Sequence, residues 1–363
     1  MRIATYNVEN LFSRTRAMNG DDPAKTTVVL ADVAALQNLI EKPLYSDADK
    51  AEMLRLLKKH KALGESGPFF LQETRRRLVS NGKIVADGRA DWVGWIEWRR
   101  DLFQAPMIEN TGRIITAANA DVLCLVEVEN RPVLRRFNET ILAVAQYPHA
   151  MVIDGNDERG IDVGLMSRHP IADMRSHVDD PDAVTKHPVF SRDCAEFEID
   201  VPGSRKLWIL CNHFKSRGYG SKADNDAKRK RQAARVSEIL KRFDLAKQWV
   251  VVAGDFNELP GSDSLAPLLT HAGLRNVFGK LPADEDRWTH RDDAVPSKND
   301  QIDYLLVSTA LWPRLQKTGI DRTGIWASAK KTRDKFPPMP TVTGEANAAS
   351  DHAVVWADFD LKS

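Results

Sequence analysis

At 363 residues, 42% hydrophobic and 28% charged, the chain carries enough apolar material for one large core or two ordinary ones. Its 52 basic and 51 acidic side chains leave a formal net charge of +1. That excludes a global field drawing in polyanions, so any anion binding must rest on local patches. With a mean hydropathy of −0.40, no stretch is long and apolar enough to span a bilayer.

The chain opens directly on a strand pattern, residues 2–8, with neither an apolar signal core nor a small-residue cleavage site. This predicts a cytoplasmic protein with no stable membrane association. Residues 13–108 have a different character. Val29, Val33, Leu36 and Ile40 recur at helical spacing, and Asn81-Gly82 marks a hairpin turn. Trp92, Trp95 and Trp98, three apart, predict one buried helical face. The stretch contains no candidate catalytic pair, and no linker or repeat bounds it. The expectation is a single domain over residues 1–363 carrying an insertion at about 13–108.

Strand-like runs then recur at 121–128, 149–155, 162–167, 194–201, 206–214, 248–256, 301–308 and 353–359. A helical stripe lies at Val236, Ile239, Leu240 and Phe243. Strands outnumber helices, which predicts a sheet-rich α+β protein with helices covering the sheets. Cys124, Cys194 and Cys211 each sit in an apolar run without a Cys-x-x-Cys pair, and free thiols in a reducing compartment are expected.

Each apolar run carries its polar exception near one end: Asn7 and Glu9, Glu127, His213 and Lys215, Asp255 and Asn257, Asp303, and Asp351-His352. Asp255 and Asn257 share a strand face, a spacing that fits a site at the mouth of a sheet and equally an Asx turn. Six such ends imply convergence on one polar cleft. Burying that many ionisable groups costs too much unless they pair or bind a metal.

The ordered set "YNVENLF", "VEVEN", "GIDVGLMSRHPI", "FSRD", "NHFKSRG", "GDFNELP", "QIDYLLVS" and "SDHAVV" resembles the endonuclease/exonuclease/phosphatase superfamily, over residues 1–12 and about 110–359. The resemblance implies a four-layer α/β/β/α sandwich of two packed mixed sheets, with the cleft at one edge. It implies a Mg²⁺-dependent phosphodiesterase, with Mn²⁺ as substitute. Glu127 matches the metal-ligand glutamate, Glu9 a second acidic ligand, and Asp351 a group that approaches the metal or fixes its turn. By the same resemblance either Asp255 or His352 activates the water: Asp255 is assigned as the base oriented by Asn257, with His352 contacting the scissile phosphate and the swapped roles as the alternative, and Asp303 fixes the His352 tautomer. His213 serves a phosphate oxygen or the leaving group. Asn7 and Arg192 contact the phosphate, Lys215 supports it or is simply solvated, and Asp162 orders the cleft wall. The departure is the long stretch before Glu127, which is expected to set substrate access rather than chemistry.

His60, His149, His169, His177, His187, His271 and His290 lie outside these motifs and are expected to be structural or on the surface. The basic run 221–242 is expected to be a solvated helix face, the alternative being a rail for a phosphate backbone. A nuclease acting on DNA or RNA leads. A phosphatase or a lipid or small-molecule phosphodiesterase on the same core is second, and a non-enzymatic scaffold third.

Overall fold

The computed structural model describes residues 1–18, 23–102, 106–203, 205–218, 220–291 and 299–361. The chain forms two compact units, Met1–Phe12 with Ala105–Ser363, and Ser13–Gln104.

The first unit runs β1 (Arg2–Leu11), α1 (Pro106–Ala118), β2 (Val122–Val128), α2 (Arg131–Thr140), β3 (His149–Ile153), β4 (Asp162–Ser167), β5 (Ile171–Arg175), β6 (Cys194–Val201) and β7 (Arg205–His213). It continues through α3 (Lys222–Leu240), β8 (Trp249–Asp255), β9 (Leu274–Asn276), β10 (Asp303–Ser308), β11 (Leu315–Asp321) and β12 (Val354–Phe359). One six-stranded sheet has the order β11-β12-β1-β2-β4-β3, the other β5-β6-β7-β8-β10-β9. Both are mixed, with one parallel pair near the centre, β1 with β2 and β7 with β8. The other pairings are antiparallel.

The apolar pattern explains the layering. Along β8, Val251 and Ala253 face the core between the sheets, while Val250 and Val252 face α3. A strand buried on both faces has no polar alternation to show, hence its continuous apolar run. Ile3, Cys124, Val163 and Leu165 from one sheet interlock with Phe197, Ile209, Val251 and Leu305 from the other. Ala233, Val236, Ile239 and Leu240 of α3 close the second sheet's outer face, and α1 and α2 pack on the first sheet. Each fully buried aliphatic side chain of this kind contributes about 1.5–3 kcal/mol. The result is a four-layer α/β/β/α sandwich. Strands β5 and β11 went unrecognised in the sequence because both lie at sheet edges, half-exposed and largely polar.

The parallel pairs place one polar end of each sheet together. In register, Asn7 lies opposite Val126, His213 opposite Asp255, and Asp255 opposite Asp303. Gly254 makes this approach possible: its φ is 132°, and a Cβ there would stand 1.9 Å from the Asn212 carbonyl oxygen.

In the second unit, helices Pro23–Ile40 and Asp47–Lys59 and the strand pair Phe69–Arg75 with Val93–Trp98 enclose a core of Leu36, Met53, Leu57, Phe69, Leu78 and Trp92. Ser46 and Asp49 form a capping box that starts the second helix. Asn81 and Gly82, with φ of 48° and 71°, make the expected hairpin turn between Val79–Ser80 and Lys83–Ile84. The tryptophan expectation fails: the three lie on extended backbone, where a spacing of three alternates faces rather than sharing one. Trp92 is buried and bonds Tyr45, Trp98 meets Phe69 edge-on, and Trp95 is 46% exposed.

Candidate active site

Asn7 is the hub. Its Nδ2 donates to Glu127 Oε1 and Asp255 Oδ2, both at 3.2 Å, and lies 3.4 Å from His352 Nε2. Asp255 is further held by the backbone N–H of Asn257 at 2.7 Å and its side-chain amide at 3.1 Å, while that amide also donates to the Phe214 carbonyl. The Asx turn and the site are therefore one structure. His213 Nε2 stands 3.7 Å from Asp255 and 3.8 Å from Glu127, and His352 Nε2 stands 3.9 Å from Asp255. His352 Nδ1 pairs with Asp303 Oδ2 at 2.9 Å.

Backbone strain marks the same place. Glu9, Glu127 and Asn257 have φ of 48°, 68° and 53°, in the left-handed region that long side chains avoid. A register shift in the β1–β2 pairing beyond Asn7 accompanies the first two, re-aiming their side chains off the sheet. The Glu9 amide bonds back to Asn7 Oδ1, and its carboxylate accepts from the Asp351 amide at 3.0 Å. Ser350 donates to the Asn7 carbonyl and accepts from the His352 amide, tying the 350–352 turn to β1.

Burial and neighbouring charge divide the titratable groups. Burial pushes the Asp255 carboxyl up to about 6, against the pull of His352. Burial, then the charge of Asp351, lifts Glu9 to about 7, and burial raises Glu127. The imidazole of His213 is driven well below its ordinary range by burial and by Arg192. Burial works against charge on His352 too, but Asp303, Asp351 and Asp255 outweigh it and hold the ring as an imidazolium. Asp351, where burial is outweighed by His352 and His290, falls to about 2. Both histidines thus stand by Asp255 Oδ2, at 3.7 and 3.9 Å, one driven toward its neutral form and the other toward its cationic form.

Arg192, 2% exposed, lies 3.5 Å from His213 Nε2, and its guanidinium lines a cleft of about 620 Å³ with Phe12, Glu127, Arg159, Ile161, Ser216 and Gly218. Lys215 is not drawn into the cluster by its hydrogen bonds. Its ammonium binds the carbonyls of Ser216 and Gly218. Asp162 accepts from the Gly155 amide on the neighbouring wall and is pushed up to about 7 by burial.

Two participants escaped the sequence. Thr289 Oγ1 donates to Asp303 Oδ2 at 2.7 Å and accepts from the Ile302 and Asp303 amides. His290, expected to be structural or on the surface, packs beside His352 with ring centroids 4.6 Å apart and the rings tilted by 52°, and its Nε2 lies 3.5 Å from Asp351. The only available signal was their adjacency ahead of the Asp303 strand.

The sequence profile of the Endonuclease/Exonuclease/phosphatase family matches residues 105–352. No curated protein matches the sequence. Among solved structures, the chain is similar to Danio rerio (D. rerio) TDP2 complexed with single strand DNA product, at 15% identity, TM-score 0.49, covering 70% of this chain and 92% of that one. It is similar to beta toxin from Staphylococcus aureus at 15% identity and TM-score 0.49, covering 71% and 93%. An endonuclease/exonuclease/phosphatase family protein from Leptotrichia buccalis gives 15% identity and TM-score 0.49, covering 70% and 93%.

Such proteins generally work with a divalent metal. The chain's oxygen donors suit one. Glu9, Glu127 and Asp351 repel one another's charge, and burial with the Asp351 charge lifts the Glu9 carboxyl to about 7 against the opposing pull of His352. Carboxylate oxygens are the donors that a hard divalent cation takes.

Proposed function

The chain belongs to the endonuclease/exonuclease/phosphatase family, with its DNase I-like fold, and we propose that it is a Mg²⁺-dependent phosphodiesterase acting on nucleic acid. One observation carries the reading: a buried carboxylate, Asp255, is fixed by three amide N–H contacts between a neutral and a cationic imidazole.

A phosphodiester needs an activated water, charge neutralisation at its oxygens, and help for the departing alkoxide. Asp255 takes the proton of the attacking water. A carboxyl near 6 is ionised at neutral pH yet basic enough to accept it. Asn7 and Asn257 keep its oxygens aimed. His352, held by Asp303 through Nδ1, donates from Nε2 to a phosphoryl oxygen. His213 and the buried Arg192 receive the remaining phosphate charge, the guanidinium suited to two-point anion contact. Glu127, with Glu9 and Asp351 close by, would hold the divalent ion, which when bound would supply Lewis-acid neutralisation of the phosphate charge.

The basic helix supports a second reading, a small phosphodiester substrate. Lys222, Arg229, Arg231, Arg235 and Lys241 are paired with Asp226, Glu258, Asp182, Asp180 and Glu238, so much of the α3 charge is neutralised locally rather than laid out for a phosphate backbone. Incubation with Mg²⁺ or Mn²⁺ against plasmid, single-stranded DNA, RNA, bis-nitrophenyl phosphate and sphingomyelin separates the readings. Cleavage of the nitrophenyl diester alone favours the second, and no cleavage of any of them in either metal overturns both. No described helix is long and apolar enough to cross a membrane.

A further inference from the structure

We propose that His290, Asp351 and His352 form a second cation site, selective for a nitrogen-seeking d-block ion such as Zn²⁺ or Co²⁺, which shares Asp351 with the oxygen-only Mg²⁺ position at Glu127 and takes its other two donors from imidazoles. The three side chains present donor atoms all within 4.8 Å of one another. His290 Nε2 lies 3.5 Å from Asp351 Oδ2, and His352 Nε2 lies 3.8 Å from Asp351 Oδ1. Ligands about 2.0–2.2 Å from a tetrahedral Zn²⁺ stand roughly 3.3–3.6 Å apart, so side-chain shifts of up to about 1.5 Å close the set.

The backbone holds the donors in this arrangement. The Arg291 amide bonds the Asp351 carbonyl and the Ala353 amide bonds the Thr289 carbonyl, with His290 and His352 bridged between them. This is the non-hydrogen-bonded pair of an antiparallel ladder, in which opposed side chains share a face and stand closest. His290 is thereby set beside His352 by regular pairing and not by a free loop. Behind it, Asp303 accepts from His352 Nδ1 and is itself anchored by Thr289. A carboxylate on the far nitrogen is the usual support of a metal-binding histidine, fixing the tautomer that leaves Nε2 for the metal.

The donor chemistry separates the two sites. Two imidazoles and one carboxylate suit Zn²⁺, Co²⁺ and their neighbours, whereas Mg²⁺ seeks oxygen and water. With three protein donors, a tetrahedral ion keeps a fourth position open. Binding displaces a proton from any protonated imidazole to solvent and occupies His352 Nε2, the atom assigned above to the phosphate. That consequence, inhibition by Zn²⁺, rests on the proposed function; the binding itself does not.

The test uses the full chain, stripped of metal and then held in excess Mg²⁺. Titration with Co²⁺, followed by visible absorption, and with Zn²⁺, followed by calorimetry, should show one ion bound. His290→Ala should weaken that affinity at least tenfold with its circular dichroism unchanged, whereas His213→Ala should not. His290→Cys guards against a folding artefact: it should retain Co²⁺ and add a thiolate-to-metal charge-transfer band. In parallel, Zn²⁺ should inhibit hydrolysis of bis-nitrophenyl phosphate by the wild type and inhibit His290→Ala at least tenfold less well. Unchanged affinity in a folded His290→Ala protein, or Co²⁺ bound by His290→Cys without the band, overturns the site. Binding as expected but without inhibition leaves the site standing and removes His352 from the phosphate.

Discussion

His352 Nδ1 lies 2.9 Å from Asp303 Oδ2, and Asp303 is fully buried. An imidazolium fixed this way cannot rotate, and neither partner does its work without the other. His352→Ala and Asp303→Asn should therefore each lower kcat by several orders of magnitude, and the double variant by little more. Losses that multiply would break the pairing.

Thr289 extends that relationship by one bond. Replacing it with valine keeps the shape but removes one of the two hydrogen bonds to Asp303 Oδ2 and strands two backbone amides. The expected cost is about 1–3 kcal/mol of stability, together with a smaller fall in kcat than Asp303→Asn produces. Chemical denaturation alongside steady-state kinetics checks both halves. Unaltered stability and rate would mean that the hydroxyl orients nothing.

Removal of the divalent ion should abolish hydrolysis. Glu127→Gln keeps the volume and loses the charge, so it should raise the Mg²⁺ concentration needed for half-maximal activity while leaving the melting temperature in EDTA nearly unchanged. Full activity in EDTA would end the metal-dependent mechanism.

The raised Glu9 carboxyl gives a signed pH dependence. Its folded-state value, about 7, exceeds its ordinary 4.5, so the metal-free protein loses stability as pH rises between those values. A bound cation offsets that loss. The increase in melting temperature caused by Mg²⁺ should grow from pH 4.5 to about 7 and then level off, and Glu9→Gln should flatten it. Buried His213 has the opposite slope, gaining stability as pH rises toward 6.5, but it contributes with and without Mg²⁺ and cancels in the difference. Separately, kcat should rise through about pH 6 as Asp255 ionises.

The sandwich was legible because strands such as β8 are buried on both faces and announce themselves as unbroken apolar runs. The cluster of Asn7, Glu127, His213, Asp255, Asn257, Asp303 and His352 was legible because each interrupts such a run at the same end. His290 and Thr289 interrupt nothing. His290 forms a lone bridge to His352, with Thr289 just before it, and their place beside His352 depends on contacts some sixty residues apart, which no local pattern encodes. The tryptophans failed for a related reason: a spacing of three suggests a helix only if the backbone is helical, and β-branched Val93 and Ile96 favoured a strand.

Residues 13–104 hold none of the residues assigned to the chemistry, and their core is their own. Ser13 pairs with Leu102 and Arg14 with Asp101, so the two ends of this unit lie side by side. Antiparallel partners stand about 4.5–5.5 Å apart, a gap that a few glycines and serines span easily. Exchanging residues 13–104 for such a linker should leave a folded, metal-binding protein whose hydrolysis of bis-nitrophenyl phosphate stays within about tenfold of the full chain, roughly 1.4 kcal/mol in transition-state energy. If the unit governs substrate access, the order of preference among plasmid, single-stranded DNA and RNA should change in the same variant. A folded variant that binds Mg²⁺ yet is inactive on the small diester would place part of the chemistry in residues 13–104. An unchanged order of preference would leave the unit no part in substrate choice.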